Sequence, residues 1–190
     1  MNKVLSAIIL QPAVSDTDFK EIIELQRENH YKSLNAQQQQ EQGFVFAEHT
    51  IGMLKLMSAK IPQLVALHEG RVIGYNLAMT ATMETDLQSL EPMFREFHKT
   101  LYKGRVLTDY NFFVGGQVCV ANDFRGLGLL NKLYHATADA VNGIYDLCVT
   151  EISFINNHSL KAHQKMGFEI AGSHIDDFGG WYVVVWDLRA

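Results

Sequence analysis

Two glycines stand in a strand-to-helix turn whose composition suits the binding of phosphate groups. Residues 118–130 run from an apolar strand, through a short polar turn that contains Gly126 and Gly128, into a predicted helix. Amides at the start of a helix lack helical partners, the helix dipole attracts negative charge, and glycine lets a phosphate approach the backbone. Arg125 adds a neighbouring cation. The turn is a candidate pyrophosphate site, although two glycines can also serve only to make a tight turn.

A dinucleotide-binding turn is the nearest alternative for this pattern. The dinucleotide fingerprint Gly-x-Gly-x-x-Gly needs a third glycine, and Asn131 occupies that place in this chain. We therefore favour a pyrophosphate that belongs to a different cofactor.

A second segment, residues 151–168, is predicted to form a strand, an Asn-rich turn, a helix and a Gly-Phe ending. Glycine at Gly167 suits the left-handed conformation that commonly ends a helix. Side chains alternate along a strand, so Glu151 shares a face with Leu147 and Val149. A carboxyl group in such a partly apolar setting has a raised pKa, which is useful for a general base. An ion pair with a helix cation, or solvent exposure at the strand end, is the alternative.

Together the two segments resemble the acetyl-CoA-binding region of the GNAT superfamily of N-acetyltransferases. Arg125, Gly126 and Gly128 stand at the spacing of the family's first motif, while Leu130 replaces its usual small residue. The residues that fall at the spacings of the second motif are Asn156, Ser159, His163, Gly167 and Phe168. His163 stands where the family usually has a tyrosine. The resemblance covers residues 111–171 and implies that the cofactor is acetyl-CoA.

The resemblance also implies which residues bind the cofactor. The strand edge at 118–120 would pair with the pantetheine arm, and the backbone amides of 127–130 would hold the pyrophosphate. The complete set of implied cofactor-binding residues is Val118, Cys119, Val120, Arg125, Gly126, Leu127, Gly128, Leu129, Leu130, Asn156 and Ser159.

Transfer of an acetyl group from a thioester to an amine needs a base for the attacking nitrogen and a donor for the departing thiolate. The amino-terminal acetyltransferase branch of the family carries a catalytic Glu at the place of Glu151, which implies that Glu151 is the base. His163 could protonate the thiolate or act with Glu151 through water, because imidazole titrates near neutrality. A purely structural histidine is the alternative.

The predicted reaction is therefore direct attack of a primary amine on acetyl-CoA in a ternary complex. A CoA-binding regulatory or interaction module with little catalysis is the alternative, and the departures at Leu130 and His163 motivate it. The acceptor is expected to be a small-molecule or peptide amine, and the first half of the chain carries no motif that identifies it.

Other reactive side chains are interpreted as structural. Cys119 and Cys148 lie within apolar strands and have no activating neighbour in sequence, so we expect core thiols. The eight histidines include no His-x-x-x-His pair, so no metal site is predicted. Candidates for an acceptor pocket lie in irregular or helix-end segments: Tyr31, Phe44, Phe46, His49 and Tyr110.

The elements that must position these residues follow from periodicity and turn signals. In the first half we predict a strand at 4–10, a helix capped near Ser15, an exposed helix at 36–42 followed by a mobile loop, a helix at 51–59, strands at 63–68 and Arg71–Thr80, and an amphipathic helix at 83–102 that Pro92 kinks or breaks.

The second half alternates more regularly. We predict strands at 111–120, 145–154, 168–171 and 181–188, with helices at 127–141 and 159–166 and a solvated hairpin tip at Asp176 and Asp177. The predicted fold class is α/β, with a GNAT-like mixed, mostly antiparallel central sheet and helices on both faces. We expect a parallel central pair near Val118 and Val149.

Composition sets the remaining expectations. The 190 residues, 47 % of them hydrophobic, fit one domain over 1–190 without a membrane-spanning run. The net charge of −5 disfavours nucleic-acid binding, which needs clustered cations. No signal-peptide cleavage site follows the amino terminus, and two cysteines in apolar runs indicate a reducing compartment, so a cytoplasmic location is expected. A homodimer is compatible with these features.

Overall fold

The computed structural model describes residues 7–86, 90–141 and 143–189. Its strands are β1 (Ile9–Pro12), β2 (Leu64–His68), β3 (Arg71–Thr80), β4 (Leu101–Tyr102), β5 (Arg105–Val106), β6 (Phe112–Val120), β7 (Leu147–Ser153), β8 (Glu169–Asp176) and β9 (Gly179–Asp187). Seven of them form one sheet in the order β1-β2-β3-β6-β7-β9-β8, and β4 and β5 form a separate ribbon. β6 and β7 are parallel, and the other neighbouring pairs are antiparallel.

The helices are α1 (Asp16–Asn29), α2 (Ala36–Gln42), α3 (Ile51–Ser58), α4 (Glu91–Phe97), α5 (Leu129–Ala140) and α6 (Asn157–Lys165). Ser15 begins α1 through a capping box with Asp18, in which each side chain accepts a hydrogen bond from the other residue's amide. This reciprocal arrangement satisfies two amides that the helix start leaves without partners. The predicted helix start near Ser15 is therefore confirmed.

The sheet buries both of its faces. On one face, α1 places Phe19 and Ile22 in a cluster with Leu77 and Val149 of the sheet. On the other face, α5 places Leu133 in a cluster with β2 and β3, and Tyr134 in a cluster with β6, β7 and β9. The predicted fold class, a mixed and mostly antiparallel sheet with helices on both faces, is confirmed.

One predicted helix is wrong. The stripe over 83–102 does not form one helix, because residues 81–84 form a 3-10 turn, α4 covers only Glu91–Phe97, and β4 begins at Leu101. Pro92 lies in the first turn of α4, where its missing amide hydrogen costs no helical bond. Leu87, part of the predicted stripe, lies outside the described residues.

The other element predictions differ mainly at their ends. The first strand runs over Ile9–Pro12 rather than 4–10, of which residues 4–6 lie outside the described part of the chain. The central parallel pair is confirmed, but Val149 pairs with Val114 and not near Val118. Val118 lies farther along β6, where the strand pairs with β3 alone. Because β7 pairs with β6 only as far as Val114, the β7-facing edge of β6 at Val118 has no strand partner within the described residues, and the site described below lies along this edge.

Candidate functional site

The parallel strands β6 and β7 separate after three residue pairs. Pairing between them ends at Val114, while β6 continues to Val120. Along β6 the register against β3 shifts between Gln117 and Gly115, so Gly116 is an extra residue in a β-bulge. The β7-facing edge of β6 beyond Val114 has no strand partner within the described chain, and a cleft opens there.

Glycine at position 115 is required by close packing at the start of this cleft. A Cβ atom on Gly115 would lie 3.1 Å from the hydroxyl of Tyr134 and 3.2 Å from Sγ of Cys148. These contacts are shorter than most real Cβ contacts, so a side chain at this position would require Tyr134 or Cys148 to shift by a few tenths of an ångström. Buried side chains therefore pack closely against the backbone of β6 at the point where the strands diverge.

The glycine turn forms one end of the cleft. Gly126 and Gly128 have φ angles of 76° and 72°, which favour glycine, and a Cβ on either would meet nothing within 4 Å. Gly128 is the residue before α5 and provides no side-chain cap, so the first amides of the helix keep their donor capacity. The helix begins at Leu129 rather than at the predicted Leu127. The turn and helix line a cavity of about 430 Å³, called here the glycine-turn cavity.

Arg125 is tied to neutral oxygens rather than to a carboxylate. Its Nε donates to the carbonyl of Val120 at 3.0 Å, Nη1 to the carbonyl of Gln42 at 3.2 Å, and Nη2 to Oδ1 of Asn29 at 2.6 Å. Within the described chain it forms no ion pair, and burial lowers its pKa. The guanidinium therefore adds a positive charge beside the glycine turn that no acidic side chain neutralises, and it fixes the turn against α1 and the end of α2.

Glu151 lies in a second cavity of about 390 Å³, called here the Glu151 cavity. The two cavities meet along β6, and the residues that line both are Phe44, Val45, Val118 and Ser159. They are therefore two ends of one cleft that follows the free edge of β6.

Burial raises the pKa of Glu151 to about 7. His174 lies against it, with 2.6 Å between its Nε2 and Oε1 of Glu151, and acts in the opposite direction. The sheet register explains the contact. Glu151 and Gly172 pair with Val183 from opposite sides, so β9 lies between β7 and β8, and His174 lies two residues along β8 from Gly172. The predicted rise in the pKa of Glu151 is found, whereas sequence reasoning did not identify His174.

Other titratable groups in the Glu151 cavity are less suited to remove a proton. Burial lowers the pKa of His49 to about 4, so its neutral ring is a weak base. Oδ1 of Asp176 accepts hydrogen bonds from the amides of Phe178 and Gly179 and from Nε1 of Trp181. Glu48 is exposed and lies 3.4 Å from the ammonium of Lys32. Glu151 is therefore the candidate base by its pKa and its surroundings.

His163 is buried beside Tyr134 in the lining of the Glu151 cavity. Burial lowers the pKa of His163 to about 4, so its ring is neutral at pH 7. Its Nδ1 lies 2.8 Å from the carbonyl of Ser159, which can only accept, so we assign the ring proton to Nδ1. Nε2 then accepts from the hydroxyl of Tyr134 at 3.0 Å. Both residues line the Glu151 cavity as a neutral hydrogen-bonded pair.

Residues 43–49, called here the crossing segment, run over the junction of the two cavities without regular secondary structure. Three of its carbonyls are held by side chains from elsewhere: Phe44 by Asn156, Phe46 by His30 and Ala47 by Gln117, at 2.8–2.9 Å. The expected mobile loop is therefore a segment with several long-range anchors. It supplies Phe44, Phe46 and His49 to the cleft.

Most, but not all, predicted site residues lie in the expected cavity. The glycine-turn cavity is lined by Val118, Cys119, Val120, Arg125, Gly126, Gly128, Leu129, Leu130 and Ser159. Asn156 lines the Glu151 cavity instead, where it also caps α6 by accepting from the amide of Ser159. Leu127 is half-exposed and lines neither cavity.

Four of the five candidates for an acceptor pocket line one cavity, and their contact with an acceptor stays a prediction. Tyr31, Phe44, Phe46 and His49 line the Glu151 cavity. Tyr110 does not, because it is buried under the β4–β5 ribbon and donates to the carbonyl of Tyr102. Burial raises the pKa of Cys119 to about 12 and that of Cys148 still further, so both thiols remain protonated core groups.

We also searched the described residues for metal-binding clusters and for helices that could span a membrane. No group of three or more His, Cys, Asp or Glu side chains in residues 7–86, 90–141 and 143–189 has an arrangement that could hold a metal ion. None of the helices in those ranges has both the length and the apolar character needed to cross a bilayer.

Comparison with solved structures identifies the fold. An N-acetyltransferase from Staphylococcus aureus superposes with a TM-score of 0.63 at 17 % identity, covering 96 % of this chain and 99 % of that one. NAA60 of Arabidopsis thaliana in complex with acetyl-CoA gives 0.63 at 12 % identity, covering 95 % and 99 %. A chain of the NatC complex bound to Gag peptide and CoA gives 0.63 at 14 % identity, covering 95 % and 98 %.

No protein-family model and no curated protein sequence matches the chain. The likeness is therefore one of structure, and it spans nearly the whole of both chains in each comparison. The chain has the fold of the GNAT N-acetyltransferases, as its two motifs predicted.

Proposed function

We propose that this protein transfers the acetyl group of acetyl-CoA to a primary amine by direct attack within a ternary complex. The observation that carries the proposal is the position of Glu151. Its carboxyl group, with a pKa of about 7, lies in a cavity that continues along the free edge of β6 to the glycine turn. A base and a pyrophosphate site at two ends of one cleft are what this reaction requires.

The residues of the glycine-turn cavity fit the pyrophosphate and pantetheine parts of acetyl-CoA. Positive φ angles at Gly126 and Gly128, with open space where a Cβ would lie, leave the first amides of α5 accessible to phosphate oxygens. Arg125 adds an unneutralised positive charge. The free edge of β6 at 118–120 offers backbone groups to an extended amide-containing arm. When bound there, acetyl-CoA supplies the activated thioester.

Glu151 would take a proton from the attacking amine. A carboxylate with a pKa of about 7 is substantially ionised at neutral pH and is still basic enough to accept a proton from nitrogen as the new bond forms. His174, 2.6 Å away, would orient the carboxylate and stabilise its ionised form. No covalent enzyme intermediate is needed, in agreement with the buried and protonated state of both cysteines.

The pair formed by Tyr134 and His163 would meet the sulfur as the thioester breaks. His163 is neutral, so its role would be to hold the hydroxyl of Tyr134 near Gly115 rather than to supply a proton as an imidazolium. The Tyr134 hydroxyl can turn from His163 and donate a hydrogen bond to the developing thiolate. This would be a modest contribution, because burial raises the pKa of Tyr134 and disfavours full transfer of its proton.

A turnover assay with a panel of primary amines tests the proposal. Purified protein is incubated with acetyl-CoA and each amine, and both thiol release and the mass of the acetylated product are followed. The proposal predicts stoichiometric product and thiol with at least one amine class. Tight acetyl-CoA binding without product on any amine would instead support a CoA-binding regulatory module.

A further inference from the structure

The Glu151 cavity has one wall made of aromatic rings. Phe46 stacks on Tyr31 with 4.7 Å between ring centroids and 10° between planes. Trp181 meets Phe46 edge-on at 4.9 Å, and Phe178 meets it edge-on at 5.9 Å. These four side chains, the aromatic wall, all line the cavity. Trp181 is oriented by its hydrogen bond to Asp176, so part of the wall is fixed before any ligand binds.

Apolar side chains from two helices and the residue before α4 also line this cavity. They are Met53 of α3, Leu90, and Pro92 and Met93 of α4. Apolar surface on the aromatic wall and on these side chains favours a ligand group that gains from leaving water. At about 390 Å³, the cavity lies at the small end of the usual range for ligand pockets.

The carboxylates of the cavity are already engaged within the protein. Glu48 lies 3.4 Å from the ammonium of Lys32, and Oδ1 of Asp176 accepts three hydrogen bonds. Glu151 lies against His174. Among the described residues that line the cavity, these three are the acidic ones, so a second cationic centre on a ligand would share a carboxylate with the group that already contacts it.

From this arrangement we propose that the acceptor is an amine with one basic nitrogen attached next to an aromatic or bulky aliphatic group. The apolar group would lie against the aromatic wall while the nitrogen faces Glu151. The inference rests on the proposed acetyl transfer, because it assigns the acceptor class of the same site.

Three amino-acid amides test this class with the same reacting group. Phenylalaninamide carries an aromatic side chain, glycinamide carries none, and argininamide carries a second cation that is not a primary amine, so all three offer one α-amine as the reacting group. We expect kcat/KM for phenylalaninamide to exceed that of each other amide by at least tenfold. In Phe46→Ala the preference should fall below threefold, whereas Tyr145→Ala, an aromatic deletion outside both cavities, should retain it. Unchanged acetyl-CoA affinity confirms that both variants remain folded.

Calorimetric binding of the three amides to the CoA-saturated protein separates this inference from the proposed reaction. At least tenfold tighter binding of phenylalaninamide, lost in Phe46→Ala, supports the acceptor class even if no acetylated product forms. Equal affinities and equal rates for the three amides overturn the acceptor class while leaving acetyl transfer intact. Preference for argininamide also overturns it, because the cavity would then favour a second cation over an apolar group.

Discussion

The two ends of the cleft are built in different ways. Half of the residues that line the glycine-turn cavity lie in one contiguous segment, 118–131, which includes the backbone groups at a helix start, and the rest come from the ends of α1 and α2, the crossing segment and α6 with its C-cap. The Glu151 cavity depends on side chains from segments far apart in sequence, including Tyr31, the crossing segment, α4 and Trp181. A site made by backbone tolerates exchange of most side chains but not a change in backbone shape or charge, whereas a site made by side chains can change its ligand through single substitutions.

The largest effect is expected from Glu151→Gln. Loss of a general base typically lowers the rate by about 10²–10⁴-fold, and we expect a fall in kcat within that range. The affinity for acetyl-CoA should change less than threefold, because Glu151 does not line the glycine-turn cavity. Steady-state kinetics and calorimetry measure the two quantities. Glu169→Gln, an exposed carboxyl group on β8, is the matched control. A Glu151→Gln enzyme with the wild-type rate would exclude Glu151 as the base.

The pH dependence of the rate should follow the raised pKa of Glu151. Only the ionised carboxylate can accept a proton, so kcat/KM should rise about tenfold for each pH unit below about 7 and level off above it. The acceptor amine titrates as well, so the wild-type profile is divided by that of Glu151→Gln to remove this contribution. A ratio that does not change between pH 5.5 and 8.5 would contradict the assignment.

An acidic side chain in the glycine turn should weaken cofactor binding. Gly128→Glu places a carboxylate beside the first amides of α5, and we expect acetyl-CoA to bind at least ~30-fold more weakly, a loss of roughly 2 kcal/mol. Gly104→Glu is the matched control, since Gly104 also has a positive φ, 80°, and open space where a Cβ would lie. Equal losses in the two variants would indicate general damage instead of a pyrophosphate site.

A smaller effect is expected from the Tyr134 and His163 pair. We expect His163→Gln and Tyr134→Phe each to lower kcat by about tenfold, and the double variant to be little worse, because the two residues act as one unit. Additive losses would show independent roles. Thermal unfolding of each variant accompanies the kinetics, since leaving either buried group unpaired also lowers stability.

The smallest effect is expected from Arg125→Met. Three hydrogen bonds to neutral oxygens and one positive charge are lost, while the backbone amides of the turn remain. Acetyl-CoA affinity should therefore fall less than tenfold, in contrast to the effect of Gly128→Glu. Loss of binding as large as that of Gly128→Glu would mean that the glycine-turn cavity depends on a side chain as strongly as the Glu151 cavity does.

The same contrast explains what the sequence could reveal. The glycine turn was predictable because its two glycines, the helix start and Arg125 are adjacent in the chain. The alternation that puts Glu151 among apolar neighbours on its strand is also local. His174 was not predictable, because its contact with Glu151 depends on the placement of β8 two strands away across β9. The helix predicted over 83–102 failed because an apolar stripe continued through segments that the fold uses for a turn, a short helix and a strand.

Tyr134 illustrates the same limit within a correctly predicted helix. It lies on the core face of α5, where a large aromatic residue needs no functional explanation. Its contact with His163 and its position over Gly115 appear only when α5, α6 and the bulge of β6 come together. Residue type and spacing alone therefore could not separate it from an ordinary core residue.

Calorimetric titration of the wild-type protein with acetyl-CoA is the decisive test of cofactor binding, because it requires no knowledge of the acceptor. Free CoA and a dinucleotide serve as comparisons. We expect one acetyl-CoA site per chain with a dissociation constant in the micromolar range, which corresponds to a binding free energy of about −8 kcal/mol. The dinucleotide should bind more weakly or not at all. If acetyl-CoA produces neither binding heat at several temperatures nor thermal stabilisation, the proposed acetyl transfer is wrong and the protein uses this fold for another function.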